Sequence, residues 1–233
     1  MPCGRAPTAS NRVPLPDRLD RQVAQEVAGK RRRRLVVAAT LVTGSAILAG
    51  TLAAPSGSDL FFGLGLLAAI TWIVGAVLAG PIQPAPRLGR RPAGPIGILG
   101  PLIIGAVLFG AFFVARLIAD QIPLVSRNVA NVLARADAGP RAVVLLVALV
   151  NGVGEELFFR GALPNAFGKH HAAVWATVLY CLVTVCTLNV ALVAAAVVMG
   201  TVFMVERRIT GAVVAPIVTH LSWSTLVILF LPR

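Results

Sequence analysis

Residues 151–161 read NGVGEELFFRG and carry three ionisable side chains, Glu155, Glu156 and Arg160. The run before them, AVVLLVALV, is wholly apolar. A carboxylate in such surroundings is costly unless it is paired or wetted. Glu156 and Arg160 stand at i, i+4 on a helix, with the acid on the N-terminal side, the better order for an ion pair. Glu155 lies about 100° around the helix from Glu156, and one arginine cannot easily neutralise both acids. Glu155 is therefore the less compensated carboxylate, and a carboxylate so placed suits general-base chemistry on water. Asn151, four residues earlier, is placed to hydrogen-bond it. Gly152, Gly154 and Gly161 let another helix come close. Taken alone, the same residues also read as a buried ion pair that fixes helix packing.

A second group lies in APIVTHLSWS, residues 215–224. Of the three histidines, His170 and His171 fall at a span boundary, and only His220 is mid-span. At about 1.5 Å per residue, Glu155 and His220 both lie roughly 12–18 Å below the same membrane surface. Ser224 is i+4 from His220, on the same helix face. Ionisable groups that converge inside a bilayer mark a functional site.

The elements that must position these groups are membrane spans. The 233 residues are 57% hydrophobic and 13% charged, with a mean hydropathy of +0.84. A soluble domain usually carries about 25% charged residues. Composition therefore excludes an ordinary soluble domain and predicts an all-α, polytopic transmembrane helix bundle of about seven spans. Their expected limits are Leu35–Ala54, Leu60–Gly80, Ile96–Ile118, Ala142–Phe167, Ala172–Leu188, Val190–Val205 and Ala212–Leu231. Residues 120–140 read as an interfacial helix and loop. No internal repeat is visible.

The net charge of +12 is unevenly placed, with nine of the 21 Lys/Arg in residues 1–34, ending in KRRRR at Lys30–Arg34. Residues 1–34 read as a basic, largely disordered tail with a short helix over 17–34, ahead of a bundle over 35–231. Beside an apolar span, such a run reads as a cytoplasmic topogenic signal that touches anionic lipid, rather than as a nucleic-acid site. With the N-terminus inside, Arg87, Arg90, Arg91, Lys169, Arg207 and Arg208 also fall inside. Arg116, Arg127, Arg135, Arg141 and Arg233 remain outside. The expected location is a bacterial inner membrane, since little Lys beside much Arg, Ala and Val suggests a GC-rich bacterial genome. Cys3, Cys181 and Cys186 form no disulfide framework and no metal motif.

Two stretches resemble the CAAX-protease and bacteriocin-processing (CPBP, or Abi) family of intramembrane glutamic-type endopeptidases. GEELFFRG at 154–161 matches the family's EExxxR motif, and GTVFMVERRITGAVVAPIVTHLSWS at 200–224 resembles its closing segment. The resemblance covers about residues 95–231. It implies that Glu155, with a histidine of the second motif, activates water. It also implies that Glu156 and Arg160 are the supporting pair, and that His220, with an Asn of the third motif, holds the developing oxyanion. Two positions depart. The second motif, Phe-x-x-x-His, here reads YCLVT, so Tyr180 stands for the Phe and Thr184 for the His. Ser224 stands where the family has the Asn. Threonine cannot act as a base near neutral pH, whereas Ser224 can still donate one hydrogen bond.

A zinc site, the alternative to a cofactor-free site, needs about three protein ligands. Glu155, Glu156 and His220 supply three on paper, but adjacent glutamates diverge on a helix. A proton-coupled carrier lacks its repeat or broken-helix signature. Two readings remain. One is an endopeptidase that cuts membrane-associated peptides near the cytoplasmic side, with Glu155 as general base. The other is a catalytically degenerate relative that binds membrane peptides or acts as an immunity-type protein. The orientation is directly testable. Single cysteines at Ser58 and Ala138 should react with an impermeant thiol reagent added outside intact cells, and one at Gly89 should not; labelling at Gly89 would overturn it.

Overall fold

In a lipid core every backbone N–H and C=O must be satisfied within its own segment, so long apolar runs become helices. The computed structural model describes residues 15–85, 96–119, 121–137, 139–167 and 171–231, and among them there is no strand. The long helices are α1 (Leu15–Ala53), α2 (Asp59–Leu78), α3 (Ile96–Ala119), α5 (Arg141–Glu155) and α8 (Val190–Thr210). The shorter ones are α4 (Pro123–Ala136), α6 (Leu163–Ala166), α7 (Ala172–Val185) and α9 (Val214–Phe230). A π-helical segment, Glu156–Ala162, joins α5 to α6. Among the described residues, five helical stretches are long and apolar enough to cross a membrane, the α5–α6 stretch Arg141–Ala166 being one. The helices α7 and α9 are shorter but also apolar. These seven elements lie where the hydropathy pattern predicts spans.

Two expectations need correction. Residues 15–34 are not a disordered tail with a separate short helix, because α1 runs unbroken from Leu15 to Ala53. Within this helix Arg32, Arg33 and Arg34 reach across to other elements and donate to Leu78 O, Ala79 O and Ala166 O. Those carbonyls end α2 and α6, where no intrahelical donor remains. The expected tail residues 1–14, together with Arg87, Arg90, Arg91, Lys169, His170 and Arg233, lie outside the described residues. The second correction concerns the fourth span, which is not one α-helix but turns π-helical at Glu156.

The bundle has two ends. Where α1 begins, α2 and α8 also end and α6 meets α7; we refer to this as the tail end. The opposite, or turn, end holds the α1–α2 turn and α4. There Asn189 Nδ2 donates to Asn128 O at 3.0 Å, which ties the start of α8 to α4. Arg135 of α4 donates to Leu52 O and Ala54 O at the end of α1.

Lipid provides no hydrophobic drive between helices, so close packing must do that work. Helix α2 packs on α1 and α5, α9 packs on α3 and α5, and α7 packs on α8. Small residues mark the contacts. Gly152 faces His220 and Leu221 of α9, whereas Gly154 faces Ala69 and Trp72 of α2. Gly161 leaves room for Ile82. Gly44 of α1 lies flat against the Trp72 indole, leaving no space for a Cβ. Gly44→Leu should therefore lower stability by about 1–3 kcal/mol through overpacking. Thermal unfolding in detergent would measure this; an unchanged midpoint would mean that α1 does not seat on Trp72.

Candidate active site

The site is built on a break in helical geometry. Pro164 has no N–H to offer the carbonyl of Arg160, its i−4 partner. The chain widens to a π turn instead, with Leu163 N–H bonded to Phe158 O. Arg160 O is left for another donor, and Arg207 of α8 supplies it, Nε to O at 3.0 Å. Single π segments of this kind commonly occur at functional sites. Arg207 also donates to Gly211 O and Gln83 O, so one guanidinium ties the π segment to the end of α8 and to the strand of chain after α2.

Where α5 passes into the π segment the two glutamates separate. Glu156 is 0% exposed, and its Oε1 accepts from Arg160 Nη1 at 2.9 Å. The same oxygen lies 3.0 Å from Nδ1 of His220, on α9. Arg160, 1% exposed, is stacked over the rings of Tyr180 (4.3 Å) and Phe203 (5.1 Å). Those π faces partly replace the water its guanidinium has lost.

Glu155 makes a different contact. Its Oε2 accepts from the Tyr180 hydroxyl at 3.2 Å. It lines a cavity of about 220 Å³ together with His220, Tyr180, Thr184 and Trp223. A second cavity, of about 260 Å³, reaches Glu155 from the side of Asn151 and Arg135.

The structure thus brings Glu155, Glu156, Arg160 and His220 to one place and pairs Glu156 with Arg160 as the spacing suggests, but other partners differ. His220 meets Glu156, not Glu155. Asn151 does not reach Glu155; its Nδ2 donates to Gly65 O and Val147 O, at 2.9 and 3.0 Å. Ser224 is buried one turn beyond His220 and does not line the cavity. Thr184 lines it, but its hydroxyl donates to Tyr180 O at 3.0 Å. Among the described residues, no group of three or more His, Cys, Asp or Glu is arranged to hold a metal.

Two residues of this neighbourhood do not emerge from sequence spacing. Tyr180 stands at a motif position as a Phe substitute, yet its hydroxyl supplies the hydrogen bond to Glu155. Glu206, 5% exposed, lies 2.6 Å from Thr219 Oγ1, and the same hydroxyl lies 3.0 Å from Pro101 O, so its one proton serves one of the two. It thereby joins α8, α9 and α3 beside His220. The signal for Glu206 is its placement: a carboxylate directly after the apolar run VFMV. Next to Arg207 and Arg208 it reads as part of a solvated turn.

A polytopic helical membrane protein with a buried Glu–Arg–His cluster around a mid-span cavity is the class that fold and site define. Residues 137–226 match the family model described as Type II CAAX prenyl endopeptidase Rce1-like. The matched stretch is less than half of the chain but contains every residue of the cluster. It is the CAAX-protease family that the two motifs resemble, a family of peptidases. No curated protein and no solved structure matches the chain.

The Glu156–Arg160 pair should behave as a unit. Arg160→Ala strands a buried carboxylate and should cost about 3–5 kcal/mol, seen as loss of folded yield in detergent. Adding Glu156→Ala should recover part of that loss. A double variant as unstable as the sum of the two singles would show that the pair is not coupled.

Proposed function

We propose that this chain is an intramembrane endopeptidase of the CAAX-protease type, with Glu155 as the general base and no metal. The observation that carries this reading is that Glu155 faces a cavity from which Glu156 is withdrawn. Arg160 and His220 occupy Glu156, whereas Glu155 keeps one neutral partner, the Tyr180 hydroxyl. A water in the cavity would lose its proton to Glu155 as its oxygen attacks the peptide carbonyl. In its protonated form His220 gives one N–H to Glu156 and offers the other to the oxyanion. The proton held by Glu155 then passes to the leaving amine.

The substrate is a membrane-associated, mainly apolar peptide. The residues around both cavities that reach Glu155 include Leu48, Leu52 and Leu192, near the turn end of their helices. Trp72 and Phe159 form another wall of the first cavity and pack with Phe158 at 5.0–5.1 Å. The leucines at the turn end support approach of the peptide from that end. We keep the N-terminus cytoplasmic, in a bacterial inner membrane, with the basic start of α1 against anionic lipid and no nucleic-acid partner. In a cysteine-free background, Thr184→Cys should then react with an impermeant thiol reagent from outside and Arg208→Cys from inside. Labelling of Thr184→Cys only from inside would sink this approach.

One observation favours the second reading, a non-catalytic peptide-binding or immunity-type protein. Thr184 holds the position of a family base, and its hydroxyl is bonded to the backbone. Cleavage of a panel of membrane-associated peptides separates the two. Wild type should cleave slowly, Glu155→Ala should not cleave, and Thr184→His should raise the rate about 10²–10⁴-fold, a gain lost when Glu155→Ala is added. Good cleavage by wild type with no gain from Thr184→His would refute the assigned mechanism. Binding without cleavage by either form would leave the peptide-binding reading.

A further inference from the structure

The tail end of the bundle holds a third, separate cavity of about 410 Å³. Its polar side chains are Gln83, Arg160, Asn165, His171, Arg207 and Arg208, and among the described residues no carboxylate lines it. Arg207 already donates to Arg160 O, Gly211 O and Gln83 O and contributes its charge. Arg160 closes it on the side of the cluster described above, and its buried Nη2 has no hydrogen-bond partner. Asn165 adds a side-chain amide nitrogen that is likewise buried without a partner. Buried donors are rarely left in that state.

A further contribution comes from a helix end. Ala172, Ala173 and Val174, the first turn of α7, line the same cavity. The first N–H groups of a helix have no internal acceptor and carry its positive dipole end. In α7 the N-cap residue is His171, in the left-handed conformation at φ 62°, and its side chain makes no cap hydrogen bond. Arginines, an orphan amide and an uncapped 14-residue helix thus point to one space.

We propose that this cavity is a binding site for a phosphate-type anion, filled by the headgroup of an anionic phospholipid. The charge and the donors fit a phosphate, as at other helix N-termini. The place favours the lipid as its source. The cavity lies at the boundary of the bundle, where α6, α7 and α8 end or begin, which is headgroup depth. Phe167, Met204 and Val174 supply apolar wall for the glycerol and upper acyl chain. The site differs from the basic run on α1, where Arg32, Arg33 and Arg34 are bonded to helix-end carbonyls.

The test uses the full chain purified in detergent and titrated with phosphatidylglycerol, phosphatidylcholine or inorganic phosphate, with thermal unfolding as the readout. Phosphatidylglycerol should raise the midpoint and phosphatidylcholine should not. Arg208 is exposed, so Arg208→Gln should fold normally, and its apparent affinity for phosphatidylglycerol should be about fivefold weaker, the effect of one arginine near an anionic surface. Arg208→Lys should recover most of it, and Asn165→Leu should weaken it further. Equal effects of the two lipids, or wild-type affinity in both Arg208→Gln and Asn165→Leu, would refute the site. Inorganic phosphate reproducing the whole effect at millimolar concentration would overturn the lipid assignment.

Discussion

One carboxylate oxygen organises this protein. Glu156 Oε1 is shared by Arg160, four residues on, and by His220, on a helix that arrives 64 residues later. Burying such charges is costly, and the cost is met only when the partners are held in good geometry. The surrounding structure supplies that geometry. Pro164 and the π segment set the backbone beneath Arg160, Arg207 ties down its carbonyl, and the Tyr180 and Phe203 rings flank its guanidinium. Glu206 and Thr219 seat α9 so that the histidine arrives at the right level.

The arrangement divides labour between two adjacent glutamates. Glu156 is consumed by structure, which frees Glu155 to face a cavity with only a phenol as its partner. The walls around it are mostly apolar, so a carboxylate there meets little competition from other polar groups. Thr184, on the wall of the same cavity, satisfies its own hydroxyl through the backbone one turn earlier.

The arginines outside the cluster follow a second rule. A helix end inside a membrane protein leaves carbonyls without donors. Arg32, Arg33 and Arg34 bond the last carbonyls of α2 and α6, Arg135 those of α1, and Arg207 those around the end of α8. Five of the 21 basic residues thus serve helix ends, Arg32, Arg33, Arg34 and Arg207 at the tail end and Arg135 at the turn end.

The helical class, the apolar runs and the pairing of Glu156 with Arg160 are legible in the sequence, because lipid solvation and helical spacing act locally. A 20-residue apolar run has few alternatives, and an acid four residues before an arginine has an evident partner. What the tertiary structure decided is which glutamate meets the histidine. Spacing assigns depth along an axis but not how neighbouring helices are rotated about theirs, and the π segment that starts at Glu156 resets the faces of the residues after it. Asn151 illustrates the same limit. It is one turn from Glu155, yet the close approach of α2 offers it Gly65 O instead. Glu206 shows it from the other side: a residue that reads as a solvated turn is buried because α9 and α3 fold back over it, and no local pattern encodes that contact.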